Sequence, residues 1–555
     1  MHLYHSLMGT TLLATAIAHF TFEDVFGYHK RDMVDHLINF SNFSEVPASH
    51  ELLWFSCFDD YNPYLSCANL LVPLDYDDIT TPYIHTAWIK YAPFNDSAED
   101  ILFNPGGPGV SGVDLVKEAG DVLALMLGSK YNIVGFDPRG VGFSGPELSC
   151  NSTMPRFMPL TLPLPELYQL AYAYGQYCTR ANAKTDAEYA GTMATAKDIM
   201  HFVSLHHSQK NGHQAESRSE RTPIVGETKK ETRLKGEAKL WYYGVSYGTV
   251  LGQTLAALYP NQIGRMILDG NTDGVQYYTG VTPSDVDAAD AAFHDFFATC
   301  YEAGPKMCPY YGNATSVDDI ENRYLVLLQN LREMPAPDVS GPRVRTDIDV
   351  VYVMFDAMYR PLTEWWYLAE SLARLEFGYH DVAYGRRPTN PPGRYSQRSE
   401  SADDAPTFIT CLDADKNFAI ESFDNYLEAI EVYKKESYYA GYFLSLLNLR
   451  MCIGMDLAPP PSQQFPGFNM SGTRTSFPIL FVNPLRDPIT PISSAYKMSS
   501  LFPGSSVLAL NASGHSTLSA PSACIHQALW SYLQKGTLPP SGTVCQPNRR
   551  PFGLY

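Results

Sequence analysis

The stretch LWYYGVSYGTVLGQTLAALYP, residues 240–260, holds a strand signal and a helix signal with a five-residue turn between them. Leu240–Tyr243 is short and apolar and reads as a strand. Thr249–Tyr259 reads as a helix that ends at Pro260. Between them stands Gly244-Val245-Ser246-Tyr247-Gly248. A strand that turns sharply into a helix exposes the side chain at the turn. Glycines on either side remove the Cβ atoms that would block close approach of strand and helix. Ser246 is therefore the candidate nucleophile, and the helix N-terminus beneath it favours developing negative charge.

The pattern extends outward from this turn. Leu70–Val72, Ile84–Tyr91, Ile101–Phe103, Tyr131–Phe136 and Met266–Leu268 read as further strands. Thr192–Leu205 carries Met193, Ala196, Ile199, Met200 and Val203 at helical spacing. Strands alternating with helices predict a mostly parallel sheet covered on both faces. From Asp273 to Thr475 the signals turn helical, with Ala289, Ala292, Phe293, Phe296, Phe297 and Cys300 on one stripe. Tyr324–Leu331 and Glu364–Phe377 look similar. The strand pattern resumes at Pro478–Val482 and Ser506–Leu510, followed by a last helix near Pro521–Gln534. This predicts an α/β core in two parts, residues 50–272 and 476–552, interrupted by a helical cap at 273–475. Gln209–Glu237, dense in charge, and Arg386–Pro406, rich in Pro, Arg and Ser, read as surface loops.

Four further segments carry candidate chemistry. Asn104-Pro105-Gly106-Gly107-Pro108-Gly109 follows a strand and offers backbone donors for a tetrahedral oxyanion. Gly107 N–H is the first choice, Gly106 the second, and Tyr247 N–H supplies the other donor. His515, in Gly514-His515-Ser516, lies between the Ser506–Leu510 strand and the last helix and is the candidate base. Asp487 follows the Pro478–Val482 strand and is the candidate acid that orients His515. Asp269, at the end of the Met266–Leu268 strand, is its rival. The order Ser246, Asp487, His515 is the order of an α/β-hydrolase fold. Asp137-Pro138-Arg139-Gly140-Val141-Gly142-Phe143-Ser144 reads as a structural loop.

Bulk properties narrow the compartment and the partners. The chain has 555 residues and a formal charge of −19, a poor match to a phosphate backbone, so nucleic acid is not an expected partner. Leu7–Ala18 is apolar, too short for a bilayer, and ends in Ala16-Ile17-Ala18, so residues 1–18 read as a signal peptide. No membrane anchor is expected. The ten cysteines fall into sequence-neighbour pairs: Cys57/Cys67, Cys150/Cys178, Cys300/Cys308, Cys411/Cys452 and Cys524/Cys545. An oxidising compartment would let them close, although sequence alone does not fix connectivity. Sequons stand at Asn39, Asn42, Asn95, Asn151, Asn313, Asn469 and Asn511, making these the glycosylation candidates of a secreted chain. No cysteine–histidine spacing points to a metal.

Several of these runs together resemble the secreted tripeptidyl-aminopeptidase-like serine peptidases, relatives of prolyl aminopeptidase in the α/β-hydrolase superfamily. The resemblance runs from Trp54 to Phe552. It rests on Cys67-Ala68-Asn69-Leu70-Leu71-Val72-Pro73-Leu74-Asp75-Tyr76, the Asn104–Gly109 and Asp137–Ser144 loops, Tyr243–Thr249 and Arg265–Gly270. At the C-terminal end it rests on Asp487-Pro488-Ile489-Thr490-Pro491, Gly514–Ser516 and Gly536-Thr537-Leu538-Pro539-Pro540. One departure is Asn104-Pro105, where many relatives of prolyl aminopeptidase carry a histidine before the two glycines. The resemblance places the triad on Ser246, Asp487 and His515 and implies cleavage from peptide N-termini without cofactor or metal. An aminopeptidase must also hold a free ammonium, for which Glu364, Glu370 and Asp413 are candidates. An esterase acting on a small acyl metabolite would use the same triad and need no such anchor. A catalytically dead scaffold is disfavoured by the intact Ser246, Asp487 and His515.

Overall fold

The computed structural model describes residues 40–554 except 59–61, 79, 94–97, 151–159, 220–236, 339–342 and 379–403, and the side chains of 211–219 and 343 are not described. Residues 1–18, expected to be a signal peptide, and the sequons at Asn39, Asn95 and Asn151 lie outside the described residues. Among the described residues the sheet has eleven strands, of which eight are long: β1 (Leu65–Pro73), β2 (Tyr83–Tyr91), β3 (Glu99–Asn104), β4 (Tyr131–Phe136), β5 (Leu240–Val245), β6 (Ile263–Asp269), β7 (Leu480–Arg486) and β8 (Ser506–Ser513). Their spatial order is β1-β2-β4-β3-β5-β6-β7-β8. β2 runs antiparallel to β1 and β4, and every other neighbouring pair is parallel. This is the α/β-hydrolase sheet, and the turn that carries the candidate nucleophile Ser246 follows its central strand β5.

Burial on both faces explains the composition of the strands. Residues of β4 are buried throughout, as are most of β5 and β6, as expected where helices cover a parallel sheet. One face packs α1 (Gly112–Met126) and the last helix, including Val113, Val116, Leu529 and Leu533. The other packs α3 (Thr192–Ser219) and α4 (Tyr247–Leu258), including Ile199, Phe202, Leu251 and Leu255. The reading of Gln209–Glu237 as a loop needs correction at its start, because α3 runs on to Ser219.

Between β6 and β7 lie helices α5 (Ala289–Ala303), α6 (Val317–Glu333), α7 (Asp347–Met358), α8 (Pro361–Glu376), α9 (Ala405–Ala414), α10 (Phe423–Glu436) and α11 (Gly441–Asn448). The Ala289–Cys300 stripe is buried at the centre of their apolar cluster, with Trp365, Tyr324 and Tyr433. Two boundaries differ from expectation. Helix α2 (Leu164–Asn182) precedes the nucleophile turn in sequence, yet its Leu167, Tyr168 and Ala171 pack into the cap cluster. Residues near 462–463 return to the core, where Gln463 Nε2 donates to Leu74 O (3.0 Å) and Ser462 Oγ to Asp75 (2.5 Å). Pro406, expected at the end of a loop, lies in the first turn of α9, where a missing N–H costs nothing.

Five disulfides close Cys57–Cys67, Cys150–Cys178, Cys300–Cys308, Cys411–Cys452 and Cys524–Cys545. Among the described sequon residues, Asn313 and Asn469 are exposed and Asn42 and Asn511 are half-buried. Asn511 is held at both ends of its amide, by Arg486 and Gln546 (3.1 Å each). No described helix is long and apolar enough to cross a membrane.

The loop after β4 is a structural knot. Asp137 accepts from Ser111 Oγ (2.6 Å), Val113 N (3.1 Å) and Phe143 N (2.9 Å), which ties the start of α1 to the loop. Arg139 is fully buried and uses all five of its N–H donors. It grips both carboxylate oxygens of Asp198 (2.7 and 2.8 Å) and the carbonyls of Pro73, Leu74 and Tyr189. Arg139→Ala is expected to cost about 3–5 kcal/mol, because Asp198 would remain buried without its counter-charge. Arg139→Lys would not restore the fork. Urea midpoints of the two variants check both statements.

Candidate active site

The turn after β5 forces an unusual backbone on Ser246. Its φ is 58° and ψ −125°, a conformation that L-residues adopt only when their surroundings enforce it. Three contacts do so. Ser246 N–H donates to Asp269 O (3.1 Å), the Ser246 carbonyl accepts from Thr249 Oγ1 (2.6 Å), and Gly244 lies against the Gly248 carbonyl. A Cβ on Gly248 would lie 2.8 Å from Asn104 O. Both glycines of the motif are thus required by close approach.

The glycine loop after β3 packs onto the same turn. A Cβ on Gly106 would lie 2.9 Å from Ser246 Cβ and 3.1 Å from Tyr247 N. The Gly106 N–H is taken by Asn104 Oδ1 (3.0 Å). Among the described hydrogen bonds, the N–H groups of Gly107 and Tyr247 have no partner. Free donors therefore stand at the first-choice position and not at Gly106.

β7 and β8 bring Asp487 and His515 together. His515 Nδ1 lies 3.1 Å from both Asp487 oxygens and 3.1 Å from Thr490 Oγ1. Asp487 is fully buried and also accepts from Ile489 N (3.2 Å), Thr490 N (2.9 Å) and Ser516 N (2.8 Å). Three backbone donors fix the orientation of its carboxyl group toward the imidazole. No hydrogen bond between Ser246 Oγ and His515 occurs among the described residues. Contacts of this type tighten when substrate binds.

Among the described residues Asp269, the rival acid, makes no hydrogen bond to His515. Its carboxylate accepts from Tyr243 OH (2.8 Å), Thr517 N (2.8 Å) and Thr517 Oγ1 (2.5 Å), and its carbonyl accepts from Ser246 N–H. It fastens the serine turn to the histidine loop. Burial pushes its carboxyl up to about 6, against the pull of the Thr517 donors.

Three contributors went unmarked in the sequence. Thr490 lies in the quoted run 487–491, but only the fold puts its hydroxyl on the imidazole. Tyr359, after α7, accepts from His515 N–H through its carbonyl (3.1 Å) and sets its ring edge-on to the imidazole at 4.9 Å. Thr192 links Tyr247 OH (2.5 Å) to Asp413 (2.5 Å). Of the three acidic candidates, Asp413 is thus joined to the serine turn. Glu364 pairs with Arg360 at 3.8 Å, and Glu370 is half-buried on α8.

The site is set among buried acids. Burial pushes Asp285 up to about 8, opposed by the Thr282 hydroxyl and reinforced by Asp273, Asp287 and Asp487. Between pH 7 and 8.5 the folded chain holds a proton on Asp285 that the unfolded chain, at an ordinary 3.8, has released. Unfolding then releases protons, so stability must fall as pH rises. The expected loss over this window is about 1 kcal/mol. Histidines held low by burial, such as His206 at about 4, act below it. Asp285→Asn is expected to flatten the slope, as denaturant titrations at the two pH values would report.

The sequence is similar to known proteins over most of its length. Residues 439–545 match the family model described as TAP-like protein. The serine protease Hip1 of Mycobacterium tuberculosis is 26% identical over 508 residues, covering 86% of this chain and 87% of that protein. Tripeptidyl aminopeptidase of Streptomyces lividans is 24% identical over 517 residues, covering 90% and 87%. Carboxylesterase B of M. tuberculosis is 25% identical over 496 residues, covering 87% and 86%. The chain is a serine hydrolase of the α/β-hydrolase type, similar over most of its length to the tripeptidyl-aminopeptidase-like serine peptidases.

Proposed function

We propose that this protein is a secreted serine exopeptidase that releases short peptides or amino acids from peptide N-termini. The observation that carries the chemistry is His515 Nδ1 bracketed by both oxygens of a buried Asp487, in the loop that Asp269 fastens to the Ser246 turn. Ser246 attacks the scissile carbonyl and His515 takes its proton. Asp487 fixes the tautomer that leaves Nε2 free to accept and stabilises the imidazolium. Gly107 and Tyr247 N–H hold the oxyanion. His515 then protonates the leaving amine, and water resolves the acyl-enzyme by the reverse transfers. Five disulfides support an extracellular location. The N-terminal assignment draws on the resemblance to tripeptidyl aminopeptidase.

A second reading is an esterase acting on a small acyl substrate. It is favoured by the similarity to carboxylesterase B, which is as close as that to tripeptidyl aminopeptidase. Purified protein would be tested on free-amine mono-, di- and tripeptide amides, their N-acetylated forms and simple acyl esters. Cleavage of free-amine peptides with sparing of acetylated ones supports the exopeptidase. Turnover of esters alone moves the assignment to the esterase.

A further inference from the structure

We propose that Asp413 receives the α-ammonium of the substrate's N-terminal residue. The proposal rests on the exopeptidase reading above and names the group that would recognise the free amine.

Asp413 lies near the end of α9 and is half-buried. Thr192 N (2.8 Å), Thr192 Oγ1 (2.5 Å) and Tyr277 OH (3.0 Å) orient it. None of these donors carries charge. Among the described residues no lysine, arginine or histidine pairs with it, and no cation acts on its titration. Burial without a counter-ion pushes its carboxyl up to about 7. The surroundings are aromatic: the Tyr247 and Tyr277 rings are 5.6 Å apart, and Tyr278 stands edge-on to Tyr277. A carboxylate without a counter-ion, ringed by tyrosines, suits a primary ammonium through charge-assisted hydrogen bonds and ring faces.

The placement fits the chemistry next door. Tyr247 OH reaches Thr192, while the backbone N–H of the same residue is a proposed oxyanion donor. At the other end of α9, Pro406 packs on the glycine loop, so a Cβ at Gly109 would lie 2.9 Å from its ring. The Cys411–Cys452 disulfide fixes the helix two residues before Asp413. One rigid helix therefore touches the glycine loop and carries the anchor. The anchor is separated from Tyr247 by one tyrosine side chain and one threonine hydroxyl, so a chain spanning the two is short. Asp285 does not compete for this role. It is 8% exposed, and its unpartnered Oδ1 is shut off from solvent.

The test compares kcat/KM for matched free-amine and N-acetylated peptide amides in the wild type and in Asp413→Asn. The wild type is expected to prefer the free amine. The variant is expected to lose roughly 100-fold on free-amine peptides, mainly through KM, so that the preference collapses. Labelling of Ser246 by a serine-reactive phosphonate counts the folded sites in each preparation. Asp413→Glu, which keeps the charge but moves it by one methylene, serves if the asparagine variant does not fold, and is expected to change the preferred peptide length. A folded Asp413→Asn that keeps the wild-type preference overturns the anchor and leaves the exopeptidase standing, as does an Asp413→Glu with unchanged length profile. A wild type without preference for the free amine overturns both.

Discussion

Ser246→Ala is expected to lower kcat by roughly 10⁶-fold on whichever substrate the wild type turns over best, with KM little changed. The size follows from the way the site is built. Ser246 alone occupies the turn, at φ 58° and ψ −125°, between the glycine loop and the N-terminus of α4. The neighbouring hydroxyl of Thr249 is committed to the Ser246 carbonyl and cannot take over the attack. Alanine keeps the backbone, the Asp269 contact and the Gly107 and Tyr247 donors, so a residual rate above that in water should persist from the oxyanion site. Steady-state kinetics and phosphonate labelling read both parts. A variant that stays within tenfold of wild type would place the nucleophile elsewhere.

Asp487→Asn is expected to lower kcat by about 10⁴-fold, the scale at which a wrong imidazole tautomer disables such a site. Here the environment sharpens the effect. Asp487 Oδ1 faces Ile489 N, Thr490 N and His515 Nδ1, and Oδ2 faces Ser516 N and the same imidazole nitrogen. An asparagine NH₂ must point at a donor in either orientation. The imidazole can then accept on Nδ1, which puts its proton on Nε2, where the serine proton has to go. Hydroxide would replace the missing base, so the residual rate should rise with pH. A pH–rate profile with the wild-type shape and undiminished kcat would return the acid role to another carboxylate.

The legible parts of this molecule were local in sequence. The β5–turn–α4 segment announces itself because strand, glycines, serine and helix are contiguous. His515 and Asp487 stand out as candidates because each follows a strand of the same sheet. The Ala289–Cys300 stripe showed a buried helix because its neighbours lie one turn apart. What stayed hidden depends on residues brought together by the fold. Helix α2 carries no mark that it packs on a cap more than a hundred residues downstream, since an apolar stripe does not name its partner. Thr192 and Asp413 are 221 positions apart, and only the approach of α3 to α9 makes them a pair. Tyr359 sits at an ordinary helix junction until β8 delivers His515 beneath it.

The α7–α8 turn has a consequence for engineering. Its Tyr359 carbonyl holds the His515 backbone, and Pro361 closes on Gly514, where an added Cβ would lie 3.2 Å from the proline ring. The cap is therefore not a detachable specificity module. A chimera that grafts a foreign insertion onto this sheet would replace the cap and at the same time unseat His515. Grafts that keep residues 359–361 with the sheet would separate the two effects, and recombination points in such libraries belong outside that tripeptide.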